Sequence, residues 1–138
     1  MSYMGIMLKS VLFCKHIKEY DINKISYIEI FNEINNLGKV SFSLPVEWIG
    51  EAGKYSTTIE MLDLNGEVIN IYNNEFTLYG YSSWRDIVNY NVEFTNEGTY
   101  KFIVKCNGNI YLELPLRVSG ANHAEEAKTI EYYIDYLN

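Results

Sequence analysis

"FTNEGTYKFIVKCNGNIYLELPLRVSG", Phe94 to Gly120, decides the fold of this 138-residue chain. It reads as a corner followed by a hairpin. Tyr100, Phe102 and Val104 recur at every second position, the period of a strand with one buried face. Asn107-Gly108 is a hairpin-turn dipeptide. A two-residue loop there would set Phe102 opposite Glu113. A three-residue loop, Cys106-Asn107-Gly108, sets Val104 opposite Ile110, Phe102 opposite Leu112 and Tyr100 opposite Leu114. A one-residue slip turns a whole face to water, so the odd loop is expected, with Cys106 as a turn residue.

The same logic applies to "YSTTIEMLDLNGEVINIY", Tyr55 to Tyr72. A two-residue Asn65-Gly66 loop pairs Glu60 with Ile71. A three-residue loop, Leu64-Asn65-Gly66, pairs Met61 with Ile69 and Ile59 with Ile71. It also puts Gly66 at the left-handed position of a type I turn with a G1 bulge.

Upstream, "VSFSLPVEW" alternates Val40, Phe42, Leu44, Val46 and Trp48 against Ser41, Ser43, Pro45 and Glu47. That is a strand with one wet face, and Pro45, having no N–H, places it at a sheet edge. "MLKSVLFCKHIK" and "KISYIEIF" give two further strands, around 8–17 and 24–31, separated by the polar "EYDIN". Between the hairpins, "EFTLYG" reads as a short strand. "SSWRDIVN" reads as a helical turn capped by Ser82 or Ser83, and "YNVEF" as a strand entering the corner. The last segment differs in kind. Asn122 caps, Glu125 and Glu126 occupy a first turn, and Ala127, Ile130, Ile134 and Leu137 follow a helical spacing.

Short strands separated by turns favour a sandwich over a βαβ architecture. The expected fold is all-β: an antiparallel, immunoglobulin-like β-sandwich of about seven to nine strands over residues 1–120, with a C-terminal α-helix over 121–138.

A formal net charge of −7 argues against a nucleic-acid backbone binder, which needs clustered Lys and Arg. It leaves solubility as the plain explanation, and an acidic inhibitor that docks on a basic protein or mimics nucleic acid as a bolder one. Two cysteines, Cys14 and Cys106, do not make a disulfide scaffold. No apolar run approaches the ~20 residues of a membrane span, and the N-terminus has no cationic-then-apolar leader pattern. A cytoplasmic protein with free thiols and no membrane association is therefore expected.

Chemistry-bearing motifs are sparse. Cys14 and His16 share a strand face, but no second short-spaced pair completes a tetrahedral zinc site. They also sit roughly 7 Å apart along a strand, too far for a nucleophile and its base. No Gly-rich phosphate loop, nucleophile elbow or His-Glu-x-x-His helix is present. No metal, no cofactor and no enzyme activity are expected.

Two surface features carry the binding expectations. "LYGYSSW" concentrates Tyr79, Tyr81 and Trp84, which with Trp48 would stack on a glycan or small molecule or anchor a protein. The plainer alternative is that these rings close the open end of a sandwich core. The C-terminal stripe of Ile130, Tyr133, Ile134 and Leu137 would dock on the domain's own sheet or on a second subunit. The leading functional expectation is a non-enzymatic interaction or structural module with a protein partner, most simply itself as a homo-oligomer.

Asn96-Glu97-Gly98-Thr99-Tyr100 resembles the tyrosine corner of immunoglobulin-like sandwiches, where Tyr stands two residues before a cysteine. Here Phe102 stands at that position, so the resemblance implies the architecture without the inter-sheet disulfide. Over about residues 8–118 the chain is similar to an uncharacterised bacterial immunoglobulin-like β-sandwich family. "VLFCKHI", "NKISYIEIF", "FSLPVEW", "LDLNGEVI" and "EGTYKFIVKCNGNIYLELPLRV" carry that likeness. This chain departs from the family at Asn23 and at Glu29, where Gly is usual. The resemblance implies a fold and no activity or site residue.

Overall fold

The computed structural model describes residues 5–21 and 24–120, and the backbone of 130–135. Its strands are Ile6–Val11 (β1), Phe13–Asp21 (β2), Lys24–Phe31 (β3), Glu33–Ile34 (β4), Gly38–Gly50 (β5) and Gly53–Leu62 (β6). Val68–Leu78 (β7), Ser82–Phe94 (β8), Gly98–Cys106 (β9), Asn109–Val118 (β10) and Ile130–Asp135 (β11) complete them. They form two sheets. In the first, β5 is central: β8 pairs along its whole length on one side, and β1 and then β2 lie along the other. β3 pairs with β2, and β11 with β3. The second sheet runs β4-β10-β9-β6-β7, antiparallel except for β4 beside β10. The all-β, two-sheet architecture agrees with the sandwich expectation.

The core is aromatic. Phe102 on β9 meets three rings of the opposite sheet edge-on: Phe13 at 5.1 Å, Tyr90 at 5.2 Å and Phe42 at 6.2 Å between centroids. Ring packing thus joins the two sheets. At the corner, the Tyr100 hydroxyl donates to the Asn96 carbonyl at 3.3 Å. A second, smaller core gathers Cys14, Ile25 and Tyr27 from β2 and β3. Both cysteines are buried and unbonded, Cys106 in the main core and Cys14 in the smaller one.

Five expectations are corrected. First, β5 is an interior strand, and Pro45 is buried in it. The register from Val11↔Val46 to Cys14↔Ser43 brings Leu12, the break between β1 and β2, opposite Pro45. The missing N–H is accommodated by interrupting the neighbouring strand rather than by leaving an edge. The same strand face is less wet than its polarity implies: Glu47 is buried between Lys9 and Arg85, 3.8 and 3.7 Å away.

Second, "SSWRDIVNYNVEF" is one continuous strand, β8, with no helical turn. Trp84, Asp86, Val88, Tyr90, Val92 and Phe94 alternate with Arg85, Ile87, Asn89, Asn91 and Glu93 over the whole length. That period-two pattern outweighs the local Ser-Ser cap.

Third, the hairpin of β9 and β10 closes with two residues, not three. Asn107 and Gly108 both have positive φ, 50° and 83°, as a type I′ turn requires. Cys106 is therefore the last strand residue and a core residue. A bulge at Tyr111 then restores the face, so that Val104 pairs with Leu112, Phe102 with Leu114 and Tyr100 with Leu116. The apolar parity is as expected; a bulge achieves it instead of the loop. Tyr111 uses the bulge to pack edge-on against Trp48 at 5.2 Å and to donate to the Ile6 carbonyl at 3.3 Å.

Fourth, the hairpin of β6 and β7 has the expected three-residue loop. Gly66 has φ 82° and donates to the Asp63 carbonyl at 3.0 Å. The pairing beyond it differs. A bulge at Ile69 sets Met61 opposite Asn70, Glu60 opposite Ile71 and Ile59 opposite Tyr72. Ile69 and Ile71 are thereby released from the core.

Fifth, residues 130–135 form β11, not a helix. Its register on β3 runs from Ile130↔Ile30 to Asp135↔Lys24. "IEYYID" is β-branched and aromatic, and the edge of β3 offers it a full ladder of backbone partners, which outweighs the helical spacing. This segment belongs to the first sheet; the rest of the span 121–138 lies outside the described residues. Ile130, Tyr133 and Ile134 are strand positions; Leu137 lies outside the described residues. With β11, the two-residue β4 and the split of one strand into β1 and β2, the described residues hold eleven strands rather than seven to nine.

Candidate functional site at the open edges

β7 ends one side of the second sheet, and β8 ends one side of the first. The chain crosses between them through Tyr79, Gly80 and Tyr81. The inner faces of these two strands meet along that side. The site is built from them.

Trp84 bridges the gap. Its ring lies parallel to Phe76 of β7 at 5.1 Å, and Phe76 in turn packs on Tyr55 at 5.5 Å. The indole N–H donates to Asp86 Oδ1 at 2.9 Å. One ring face and the N–H are therefore committed, and the indole is held in a single orientation. Trp84 is 38% exposed.

Asp86 is the hub. It is 3% exposed. Oδ1 accepts from the Asn74 amide at 2.8 Å, from Trp84, and from the Tyr72 hydroxyl at 3.2 Å; Oδ2 accepts from Thr57 Oγ1 at 3.1 Å. Donors from β6, β7 and β8 thus converge on one carboxylate, and the buried charge is supported by hydrogen bonds rather than by a cation. The neighbourhood shows its effect. Burial, the charge of Asp86 and the hydrogen bond to it push the Tyr72 phenol up to about 12. Burial, with a lesser contribution from Asp86, pushes the Cys106 thiol up to about 11, and burial does the same to Cys14. Both thiols are protonated at neutral pH, the opposite of an activated nucleophile. Tyr90 is also raised, by burial first and by Tyr72 second. Among the described residues no three His, Cys, Asp or Glu side chains gather as metal ligands.

The four aromatic residues singled out from sequence separate into three kinds. Tyr79 and Tyr81 are open, at 91% and 71% exposure. Trp84 is the fixed, half-open ring between the sheets. Trp48 is 0% exposed, a core residue with no face left for a ligand. It pairs with Trp84 across β5 and β8 but lies inside the sandwich. The sequence reading missed Asp86, Tyr72, Asn74 and Tyr90. The signal for Asp86 and Tyr90 was the alternation of β8, in which Asp86 is the single charged residue on an otherwise apolar face; Tyr72 and Asn74 lie on β7 and carried no such signal.

At the other end of β7 the surface changes. Val68, Ile69 and Ile71 are 46%, 49% and 54% exposed. They adjoin a strand edge that pairs with nothing among the described residues.

Neither a family model nor a curated protein sequence matches the chain. Solved structures do resemble it. A glycoside hydrolase family 2 β-glucuronidase aligns with a TM-score of 0.50 and 13% identity over 70% of this chain and 11% of that one. The C-terminal domain of Wzt aligns with a TM-score of 0.50 and 11% identity over 95% of this chain and 80% of that domain. A CARDB domain from Pyrococcus furiosus aligns at 0.45 and 13% identity over 88% of this chain. This chain spans about a tenth of the glucuronidase, and identities this low speak for the β-rich fold alone.

Proposed function

We propose that this protein is a non-enzymatic interaction module, an immunoglobulin-like sandwich that self-associates along β7. One observation carries the reading. β7 is an eleven-residue edge strand with three exposed aliphatic side chains and no Lys, Arg or Pro. Natural edge strands are usually blunted by such residues, because an open row of N–H and C=O groups templates pairing with another chain. Charge favours a second copy at this place. Residues 68–74 carry no charge in a chain of net charge −7, Glu75 being the single charge on β7, whereas the outward-facing positions of β8 include Arg85 and Glu93. Two acidic copies meet there with less repulsion than elsewhere.

The immunoglobulin-like type is supported by strand order. β1-β5-β8 faces β10-β9-β6-β7, with a tyrosine hydroxyl closing the corner before β9. The unbonded buried thiols fit the reducing cytoplasm, and no helix among the described residues is long and apolar enough to cross a membrane. The test is hydrodynamic: sedimentation velocity of the wild type beside Ile71→Lys, which adds the charge that edges normally carry.

A further inference from the structure

The two Asn-Gly turns differ in the covalent chemistry open to them, and this difference does not rest on the self-association reading. An asparagine side chain is most open to attack by its own backbone when glycine follows, because glycine has no Cβ to crowd the attacking peptide nitrogen. The chain holds two such pairs, Asn65-Gly66 and Asn107-Gly108. All four residues are exposed, so access to water does not separate them. Hydrogen bonding does. The Asn107 side-chain oxygen accepts from the Ser56 N–H at 2.9 Å, and the Asn107 N–H donates to the Ser56 carbonyl at 2.7 Å. The Asn107 amide is thereby anchored to β6. It cannot turn onto the Gly108 nitrogen without breaking that pair of bonds.

The Asn65 amide makes no hydrogen bond to the described residues. Its turn is restrained from within. The Gly66 N–H donates to the Asp63 carbonyl at 3.0 Å, and the Asp63 carboxylate accepts from the N–H of Asn65 and of Glu67. Residues 64–71 are all exposed, and they adjoin a strand edge that pairs with nothing among the described residues. Loops of that kind open locally at little cost. We propose that Asn65 is a site of spontaneous deamidation, slowed by Asp63, and that the Ser56 clamp shields Asn107 from the same reaction. The Gly66 nitrogen leaves the Asp63 carbonyl, loses its proton and attacks Asn65 Cγ. The new N–Cγ bond forms as the bond from Cγ to the amide nitrogen breaks, and that nitrogen departs as ammonia with the proton. Water then opens the succinimide at either carbonyl, giving aspartate or isoaspartate, with no oxidant or reductant. The product adds a negative charge beside the uncharged stretch 68–74. The isoaspartate form also adds a carbon to the main chain inside the turn.

The experiment is peptide mapping by mass spectrometry during incubation of the full chain at mildly alkaline pH, folded and in concentrated urea. In urea the two identical dipeptides should react at similar rates. In the folded chain Asn65 should convert at least roughly five-fold faster than Asn107, the effect of about one hydrogen bond. Asp63→Ala should quicken Asn65 and leave Asn107 unchanged. Equal rates in the folded chain, a faster Asn107, or a folded Asn65 that stays intact while the urea sample reacts would overturn the proposal. An Asp63→Ala chain with wild-type conversion at Asn65 would remove Asp63 from it. Should Asp63→Ala quicken both sites, the variant has lost its fold, and the wild-type comparison decides alone.

Discussion

Two hairpins with the same x-Asn-Gly turn lie in one sheet, and they solve one geometric problem in opposite ways. The hairpin of β6 and β7 closes with three residues. The Asp63 carboxylate accepts from the backbone N–H of Asn65 at 2.8 Å and of Glu67 at 2.9 Å, so the loop is held from within. The hairpin of β9 and β10 closes with two. Buried Cys106 offers no such acceptor, and the turn is held from outside: Asn107 N–H donates to the Ser56 carbonyl at 2.7 Å, and its side-chain oxygen accepts from Ser56 N–H at 2.9 Å. Each hairpin then adds a bulge, at Ile69 and at Tyr111. The second bulge turns Tyr111 onto the core. The first turns Ile69 and Ile71 away from it. The same local signal therefore yields a hairpin packed into the middle of the sheet and one with exposed aliphatic side chains at its edge.

Substitutions separate the two roles. Phe102→Ala, in the interior hairpin, removes the ring that joins three aromatic partners across the sheets. It should destabilise the fold by about 3–5 kcal/mol in chemical denaturation, whereas Ile71→Ala in the edge hairpin should stay within about 0.5 kcal/mol of wild type. Equal costs would break the comparison. Next in size, Asp63→Ala leaves two loop N–H groups to water and should cost about 1 kcal/mol. It should also raise amide exchange in residues 63–67 while leaving 106–109 unchanged.

The smallest effect sharpens the picture of what a non-glycine left-handed residue costs. Glu29 sits inside β3 with φ 59°. Glu29→Gly should stabilise the protein by roughly 0.5–1 kcal/mol, the left-handed strain relieved less the added backbone entropy, read as a rise in melting temperature. A lower melting temperature would assign Glu29 a role beyond backbone geometry.

The contrast also shows what the sequence could and could not reveal. Face parity was legible: Tyr100, Phe102 and Val104 share the buried face because alternation is a local property. The device that sets parity was not, since an odd loop and an even loop with a bulge give the same faces. The edge position of Pro45 failed for a similar reason. A missing N–H demands a gap in the ladder, and the gap can lie in the neighbour, at Leu12. The stretch 130–135 pairs with β3 because an open edge was available, and that is a property of the assembled sheet. Of the candidate site, Trp84, Tyr79 and Tyr81 were visible as an aromatic cluster. Asp86 was hidden by reading β8 as a helical turn. Tyr90 was hidden because a tyrosine on an apolar face looks like any core ring until its hydroxyl is found without a partner.

The central claim is that the edge hairpin, and not the interior one, mediates self-association. Sedimentation velocity of wild type and Ile71→Lys at roughly tens of micromolar tests it most directly. The account predicts a dimer or larger species for wild type and a folded monomer, unchanged in melting temperature, for Ile71→Lys. A wild type that stays monomeric across that range, or an Ile71→Lys protein that assembles as wild type does, would contradict it.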